Sequence, residues 1–95
     1  MIYLNRRYYM SKILYNTIGE VLRHKAIGRS TLYAEIQRRV FPKPVKLGAR
    51  KVGWLQYEVD QMMLLYLRGL SEHECREFVR ALEDDHMNME VYNAV

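Results

Sequence analysis

Two prolines near the middle of the chain, Pro42 and Pro44, constrain its fold more than any other feature. Proline has no amide donor and pushes the residue before it towards an extended conformation, so a helix cannot continue through this segment. Apolar residues recur at a spacing of four just before the prolines, at Leu32, Ile36 and Val40. This spacing predicts an amphipathic helix that begins after Gly28 and is ended by Phe41 and the prolines.

The segment after the prolines predicts a β-hairpin. Two short extended runs, 45–47 and 51–54, are separated by Gly48, Ala49 and Arg50. A hairpin of this size is not stable alone, so it must pack against the helices. Its turn would present the basic side chain of Arg50.

A short helix before residue 28 completes a helix-turn-helix pattern. Thr17 and Glu20 have the spacing of a capping box, so a first helix is predicted from there to about 24–26. A tight turn at Ala26 and Ile27 would then join the two helices. A basic hairpin directly after the second helix is typical of the winged variant. The residues therefore predict a mainly α fold with a small β-hairpin, a winged helix-turn-helix with about four helices.

Two more helices are predicted after the hairpin. The third runs from about 56 to 68, and Gly69 closes it. Its predicted apolar side consists of Val59, Met62, Met63, Tyr66 and Leu67. Ser71 and Glu74 form a second capping box, which opens a fourth helix to about Asp85. The apolar stripe of this helix consists of Cys75, Phe78, Val79 and Leu82. It either packs on the third helix or forms a homodimer seam or a docking face for another protein.

Charge divides the chain into two unequal halves. Residues 1–54 hold twelve lysines and arginines against two acids, a net charge of +10, whereas residues 55–95 hold three against nine, a net charge of −6. A basic half attracts a polyanion such as DNA. An acidic half is repelled by the same polyanion and can bind another protein instead. The alternative interpretation is that the charges only solvate two surfaces.

Length and residue counts exclude several classes of protein. The chain has 95 residues, enough for one domain. Its single cysteine, Cys75, excludes an internal disulfide, and His24, His73 and His86 lack the spacing of metal ligands. We therefore expect no metal and no cofactor. No nucleophile is accompanied by a base and an orienting group, so we expect no enzyme activity.

The sequence also predicts where the protein acts. The longest apolar run, 62–67, has six residues, whereas a membrane span takes about 18 to 20. The first ten residues lack the apolar stretch of a secretory signal. We expect no membrane partner and a cytoplasmic, nucleoid-associated protein.

Three regions are predicted along the chain. Residues 1–12 form a flexible basic N-terminal arm, residues 13–85 form the DNA-binding domain, which includes the C-terminal helix 71–85, and residues 86–95 form a tail. The arm interleaves basic and aromatic residues, so it can reach a neighbouring groove of DNA. Alternatively, translation starts at Met10 and the first nine residues are an extension of little consequence.

Several sequence runs resemble the AlpA family of prophage regulators. These runs are Gly28-Arg29-Ser30-Thr31-Leu32-Tyr33, Phe41-Pro42-Lys43-Pro44-Val45-Lys46-Leu47-Gly48, Val52-Gly53-Trp54 and Glu58-Val59. The resemblance covers about residues 13–68 and implies a fold similar to the MerR-type winged helix and to small phage excisionases. Family members usually have glycine at the position of Ala26, serine at that of Gly28, and a basic or apolar residue at that of Glu35.

The resemblance implies site-specific binding to double-stranded DNA. Its recognition-helix contacts would be Arg29, Ser30, Thr31 and Tyr33, and its wing contacts Lys43, Lys46 and Arg50. The polar side of the predicted helix adds Gln37 and Arg38, and the hairpin adds Lys51. Two of these assignments have alternatives: Thr31 caps the helix or faces solvent, and Tyr33 packs its ring on the hairpin. Trp54 is predicted to lie in the core.

Two functions from different classes fit these observations. The first is a DNA-binding protein of a mobile element, of which several copies associate on DNA. It would act as a transcriptional regulator or as an excisionase, which is a recombination directionality factor that assists a tyrosine recombinase (integrase). The second is a protein-interaction factor, such as an antirepressor or an antitoxin-like partner, that acts through the acidic C-terminal helix.

Overall fold

The structure, a computed structural model, describes residues 14–88 and the side chains of residues 14–85. In chain order its elements are β1 (Tyr15–Asn16), α1 (Ile18–Lys25), α2 (Arg29–Gln37), β2 (Val45–Lys46), β3 (Val52–Leu55), α3 (Gln56–Arg68) and α4 (Glu72–Asn88). This part of the chain holds four helices and a three-stranded antiparallel sheet, a set compatible with a winged helix-turn-helix. The predicted fold class is confirmed. The predicted arm, 1–12, residue 13 and residues 89–95 lie outside the described residues, whereas residues 86–88, predicted to belong to the tail, continue α4.

The sheet contains the predicted hairpin and one strand that the sequence did not predict. β2 and β3 pair antiparallel, with Val45 opposite Gly53. β3 also pairs with β1 on its other side, with Asn16 opposite Trp54. The strand order is therefore β1-β3-β2. β1 has two residues, too few to show the alternating pattern of a strand, and its partner lies about forty residues away.

Gly53 lets the three strands lie close together. A β-carbon at this position would lie 2.9 Å from the backbone oxygen of Asn16 in β1 and 2.7 Å from Cδ1 of Leu47. Both distances are shorter than a carbon atom tolerates, so a side chain here would push the neighbouring backbone away. Glycine in the central strand is thus required by the close approach of β1.

The turn between α1 and α2 is built from local hydrogen bonds. The capping box that opens α1 is confirmed: Thr17 Oγ1 accepts from the Glu20 N–H, and the Glu20 carboxylate accepts from the Thr17 N–H. At the other end, Ala26 adopts the left-handed conformation with φ 56°, and the Ile27 N–H donates to the Leu22 carbonyl. Both carbonyl-capping bonds of a Schellman turn are present, and they end α1 at Lys25.

Replacement of Ala26 by glycine is expected to raise the free energy of unfolding by about 0.5–1 kcal/mol. The left-handed conformation costs alanine about 1–2 kcal/mol in the folded state, a cost that glycine avoids. Glycine also makes the unfolded chain more flexible, which lowers the free energy of unfolding by about 0.4–1 kcal/mol. Thermal unfolding followed by circular dichroism measures the difference. Gly69→Ala is the matched control, because Gly69 has φ 66° in open space and the change should be destabilising. A lower melting temperature for Ala26→Gly would contradict this account of the turn.

The prediction that Phe41 and the prolines end α2 is wrong. The helix stops at Gln37, because Arg39 adopts the left-handed conformation with φ 65°. The Arg39 N–H donates to the Ile36 carbonyl and the Val40 N–H to the Glu35 carbonyl, both at 3.0 Å. This is a second Schellman turn, so Val40 is a buried apolar residue that follows the helix instead of lying on its face.

Trp54 lies in the core, as predicted. Its side chain is 1% exposed, and its indole Nε1–H donates to the Pro42 carbonyl at 2.8 Å. The indole therefore ties the central strand to the segment that follows α2. Other buried members of the core come from every helix, and they are Val21, Leu32, Phe41, Val59, Met62, Leu65, Val79 and Leu82.

The bounds predicted for α3 are confirmed, but its apolar side was partly wrong. Met62 and Leu65 are fully buried, whereas Tyr66 is 40% and Leu67 83% exposed. Successive helical residues are separated by about 100°, so Leu67 lies about 140° round the helix from Met62 and points away from the core. Gly69 ends α3 in the left-handed conformation, as predicted.

The apolar stripe of α4 is buried within the chain. The Ser71–Glu74 capping box is present, with bonds of 2.9 and 3.2 Å. Val79 and Leu82 belong to the core, and Cys75 is 6% exposed. Burial raises the pKa of the Cys75 thiol, as expected of a small core residue that stays protonated. Val79 and Leu82 share one buried cluster with Met62 and Leu65 of α3, as expected for the first of the predicted roles, packing on the third helix. None of the helices in the described part of the chain is long and apolar enough to cross a membrane.

Candidate nucleic-acid interface

The outer side of α2 is polar and open to solvent. Leu32 is fully buried on the inner side, which turns the opposite side of the helix outward. Every residue predicted to contact DNA from this segment is exposed: Arg29, Ser30, Thr31, Tyr33, Gln37 and Arg38. Tyr33 is 47% exposed, so about half of this aromatic residue is accessible to solvent.

The N-terminal end of α2 differs electrostatically from the other helix starts. Its N-cap, Gly28, makes no side-chain hydrogen bond, and the first turn holds no acid. The first turns of α1, α3 and α4 each hold at least one glutamate. In α1, the backbone hydrogen bond from Thr17 is the main cause that lowers the pKa of Glu20. The free amide groups of α2 therefore keep the partial positive charge of a helix start, which favours an anion.

The wing, residues 43–51, carries four basic side chains that are all exposed: Lys43, Lys46, Arg50 and Lys51. The Leu47 N–H donates to the Lys51 carbonyl at 2.8 Å and closes the base of the turn. At the start of the wing, the Lys43 N–H donates to Glu83 Oε2 at 2.9 Å, which ties the backbone to α4. The wing backbone is thus anchored while its cationic ends stay in solvent.

Arg38 differs from the other predicted contacts because it already has a carboxylate partner. Its Nε lies 3.6 Å from Glu72 Oε2, and the same oxygen lies 2.9 Å from Arg76. Both side chains of the Arg38–Glu72 pair are 52% exposed, so the pair is weak and easily exchanged. Arg38 would have to leave Glu72 to bind a phosphate.

Sequence reasoning missed a cluster around Lys25, which we call the Lys25 cluster: Lys25, Glu35, Phe41 and Tyr66. Lys25 Nζ lies 3.0 Å from Glu35 Oε1 and donates to the Tyr66 hydroxyl. It also lies 4.8 Å from the ring centre of Phe41 and 4.1 Å from that of Tyr66. Burial is the main cause that raises the pKa of Tyr66, so its hydroxyl stays neutral. The members are up to 41 residues apart, and no local pattern marks them.

The sequence also gave no sign of a groove between the end of α2 and α4. The groove has a volume of about 330 Å³ and is lined by Arg39, His73, Arg76, Glu77, Val79, Arg80 and Glu83. In the groove, Arg76 and Arg80 of α4 lie near Arg39. Arg39 is exposed and has the left-handed backbone conformation that ends α2. Its charges are mixed, so it does not form a uniform anion site. Within residues 14–85, no group of histidine, cysteine and acidic side chains is placed to hold a metal ion.

Comparison with known proteins assigns the family. The family described as "Prophage CP4-57 regulatory protein (AlpA)" matches residues 17–64, which is half of the chain. The chain is also 36% identical over 52 residues to the uncharacterized protein ORF88 of Enterobacteria phage P4. That match covers 55% of this chain and 59% of the phage protein, less than two thirds of its length. No solved structure matches. The matched segment contains α1, α2, the wing and most of α3, so the chain belongs to the AlpA family of prophage regulatory proteins.

Proposed function

We propose that the protein binds specific sites in double-stranded DNA and regulates a mobile element without chemistry of its own. The observations that carry this proposal are the exposed polar side of α2 and the exposed basic side chains of the wing, in a chain of a prophage regulatory family. A helix of this size fits the major groove, and a basic loop can hold the adjacent backbone or enter the minor groove.

Each proposed contact follows from the chemistry of its side chain. Arg29 can donate two hydrogen bonds to guanine, and Gln37 can pair with both edge groups of adenine, so these two would read bases. Ser30, Thr31 and Tyr33 carry hydroxyls that suit phosphate oxygens near the helix start. These contacts would fix the register of α2 on the duplex.

The wing would supply affinity more than sequence preference. Lys43, Lys46 and Lys51 can each neutralise a phosphate, while Arg50 at the tip can enter a narrow minor groove. In this proposal α2 and the wing face one side of the molecule and span adjacent grooves. Arg38 would exchange Glu72 for a phosphate at the edge of the same surface.

Two variants separate base reading from backbone binding. Arg29→Ala should weaken binding to the preferred site by about 1–3 kcal/mol and relax the preference at one base pair. Lys46→Ala should weaken binding to all sequences alike, because a phosphate contact carries no base information. Gel-shift titrations on the preferred site and on random duplex measure both effects. Arg68→Ala, which removes one exposed charge at the end of α3, is the control and should change neither. Wild-type affinity and specificity in both test variants would place the interface elsewhere.

The finer role, excisionase or transcriptional regulator, is decided by where the protein binds. Footprinting on the flanks of the element that encodes it gives the answer. Protection inside the recombinase attachment site supports an excisionase that assists a tyrosine recombinase, with several copies bending the duplex. Protection over a promoter supports a transcriptional regulator. If no segment of those flanks is protected at low salt, the proposal of site-specific binding fails.

A further inference from the structure

The Lys25 cluster connects both helices of the helix-turn-helix with α3 and with the segment that follows α2. Lys25 is the last residue of α1, Glu35 lies in α2, Phe41 follows α2, and Tyr66 lies in the last turn of α3. The side chain of Lys25 is 5% exposed and that of Glu35 is 18% exposed. A single ammonium group at the end of α1 therefore contacts α2, α3 and the segment that leads into the wing.

The apolar contacts of α2 do not by themselves fix its rotation about its own axis. Leu32 is fully buried and Ile36 packs against the core, but apolar attraction has no preferred direction. Leu32 is the buried residue of α2, so close packing limits a large roll of the helix but gives few directional contacts against a small one. A buried ion pair is different, because any shift that separates the charges leaves each of them desolvated without a partner.

The position of Glu35 in α2 determines which residues point outward. Tyr33 and Gln37 lie two residues before and after it. Residues two apart in a helix differ by about 200° around its axis, so both lie nearly opposite Glu35. Because Glu35 is drawn inward to Lys25 at 3.0 Å, Tyr33 and Gln37 are turned towards solvent.

We propose that Lys25 is a positioning residue for α2, which sets the rotation of the helix and thereby the direction of its outer polar side. The inference rests on the proposed function insofar as it concerns DNA. In that function a rolled helix would still bring its positive charge to the backbone but would misplace the groups that read bases. Lys25 therefore governs specificity more than affinity for DNA in general.

The test uses the charge-neutral double variant Lys25→Met with Glu35→Leu. Lys25→Met alone leaves a buried carboxylate unpaired and can unfold the protein, whereas replacing both partners of a buried pair by apolar residues of similar size is often neutral for stability. The double variant also keeps the net charge of +4. Lys25→Arg, which retains the charge beside Glu35 and the two rings, is the rescue variant. Arg23→Met in the same helix, at an exposed position, is the control.

Two measurements are made on each variant of the full chain. The ratio of the Kd values for random and preferred duplex should fall about ten-fold or more in the double variant, while affinity for random duplex changes by less than about two-fold because the charge is unchanged. Lys25→Arg should recover a large part of the ratio, and Arg23→Met should keep it. Residual dipolar couplings of the double variant should show α2 rotated relative to α3 by more than about 10°. A binding site needs its groups oriented to within about this angle.

Unchanged dipolar couplings in the folded double variant would overturn the proposal, as would an unchanged specificity ratio. If the wild-type protein prefers no DNA sequence, the proposed function fails separately. The dipolar couplings still decide in that case whether Lys25 sets the orientation of α2, since they require no DNA.

Discussion

Replacement of Trp54 by alanine is expected to lower the free energy of unfolding by about 3–5 kcal/mol, the usual cost of removing a large aromatic side chain from a core. The indole is 1% exposed and lies among residues from the helices and the sheet. Its loss also leaves the Pro42 carbonyl without its donor. Since a domain of this kind is stable by about 5–15 kcal/mol, this one change removes a large share of the total.

Denaturant unfolding followed by far-ultraviolet circular dichroism measures the effect, because Trp54 is the only tryptophan and its fluorescence is lost in the variant. Trp54→Phe keeps an aromatic ring but not the N–H, so it should cost less than alanine. Leu67→Ala is the matched surface control; Leu67 is 83% exposed, and its removal should change stability by no more than about 0.5 kcal/mol. A Trp54→Ala variant as stable as the control would show that the indole is not a central core residue. Loss of DNA binding in Trp54→Ala would report unfolding, not a lost contact.

DNA binding is expected to fall steeply with salt. About five to seven phosphate contacts predict a slope of about −4.5 to −6.3 in a plot of log K against log salt concentration, which corresponds to an affinity loss of about 500- to 6,000-fold between 50 and 200 mM. The lower bound counts the exposed cations that are proposed to meet the backbone, which are Arg38, Lys43, Lys46, Arg50 and Lys51. Each contact releases condensed counterions from the duplex, and this release is opposed by added salt.

Gel-shift titrations at four or more salt concentrations give the slope. The double variant Lys46→Ala with Lys51→Ala should make the slope shallower by about 1.8, at about 0.9 for each lost contact. Arg68→Ala should leave it unchanged, because Arg68 lies outside the proposed interface. A flat response in the wild-type protein, or equal slopes for both variants, would contradict the electrostatic part of the proposal.

Much of the fold could be predicted because its signals are local. Two capping boxes, at Thr17 and Ser71, and the helix end at Gly69 are all present. Each consists of hydrogen bonds between residues no more than four positions apart. The hairpin was predicted from its two extended runs, and Trp54, at the end of the second run, was predicted to lie in the core. For the interface, the sequence predicted ten residues whose side chains are all exposed. Their contacts with DNA stay a prediction.

What the sequence by itself determined is therefore the succession of helices, the hairpin, the division of charge and the family. Tertiary structure alone decided the pairing of β1 with β3, the side of α3 that meets the core, and the contacts of Lys25 with Glu35 and Tyr66. Caps and turns bond groups that are already neighbours along the chain, so residue type and spacing specify them. Strand pairing and a buried charge depend instead on segments that are 10 to 41 residues apart, and these meet only after the chain has closed around its core.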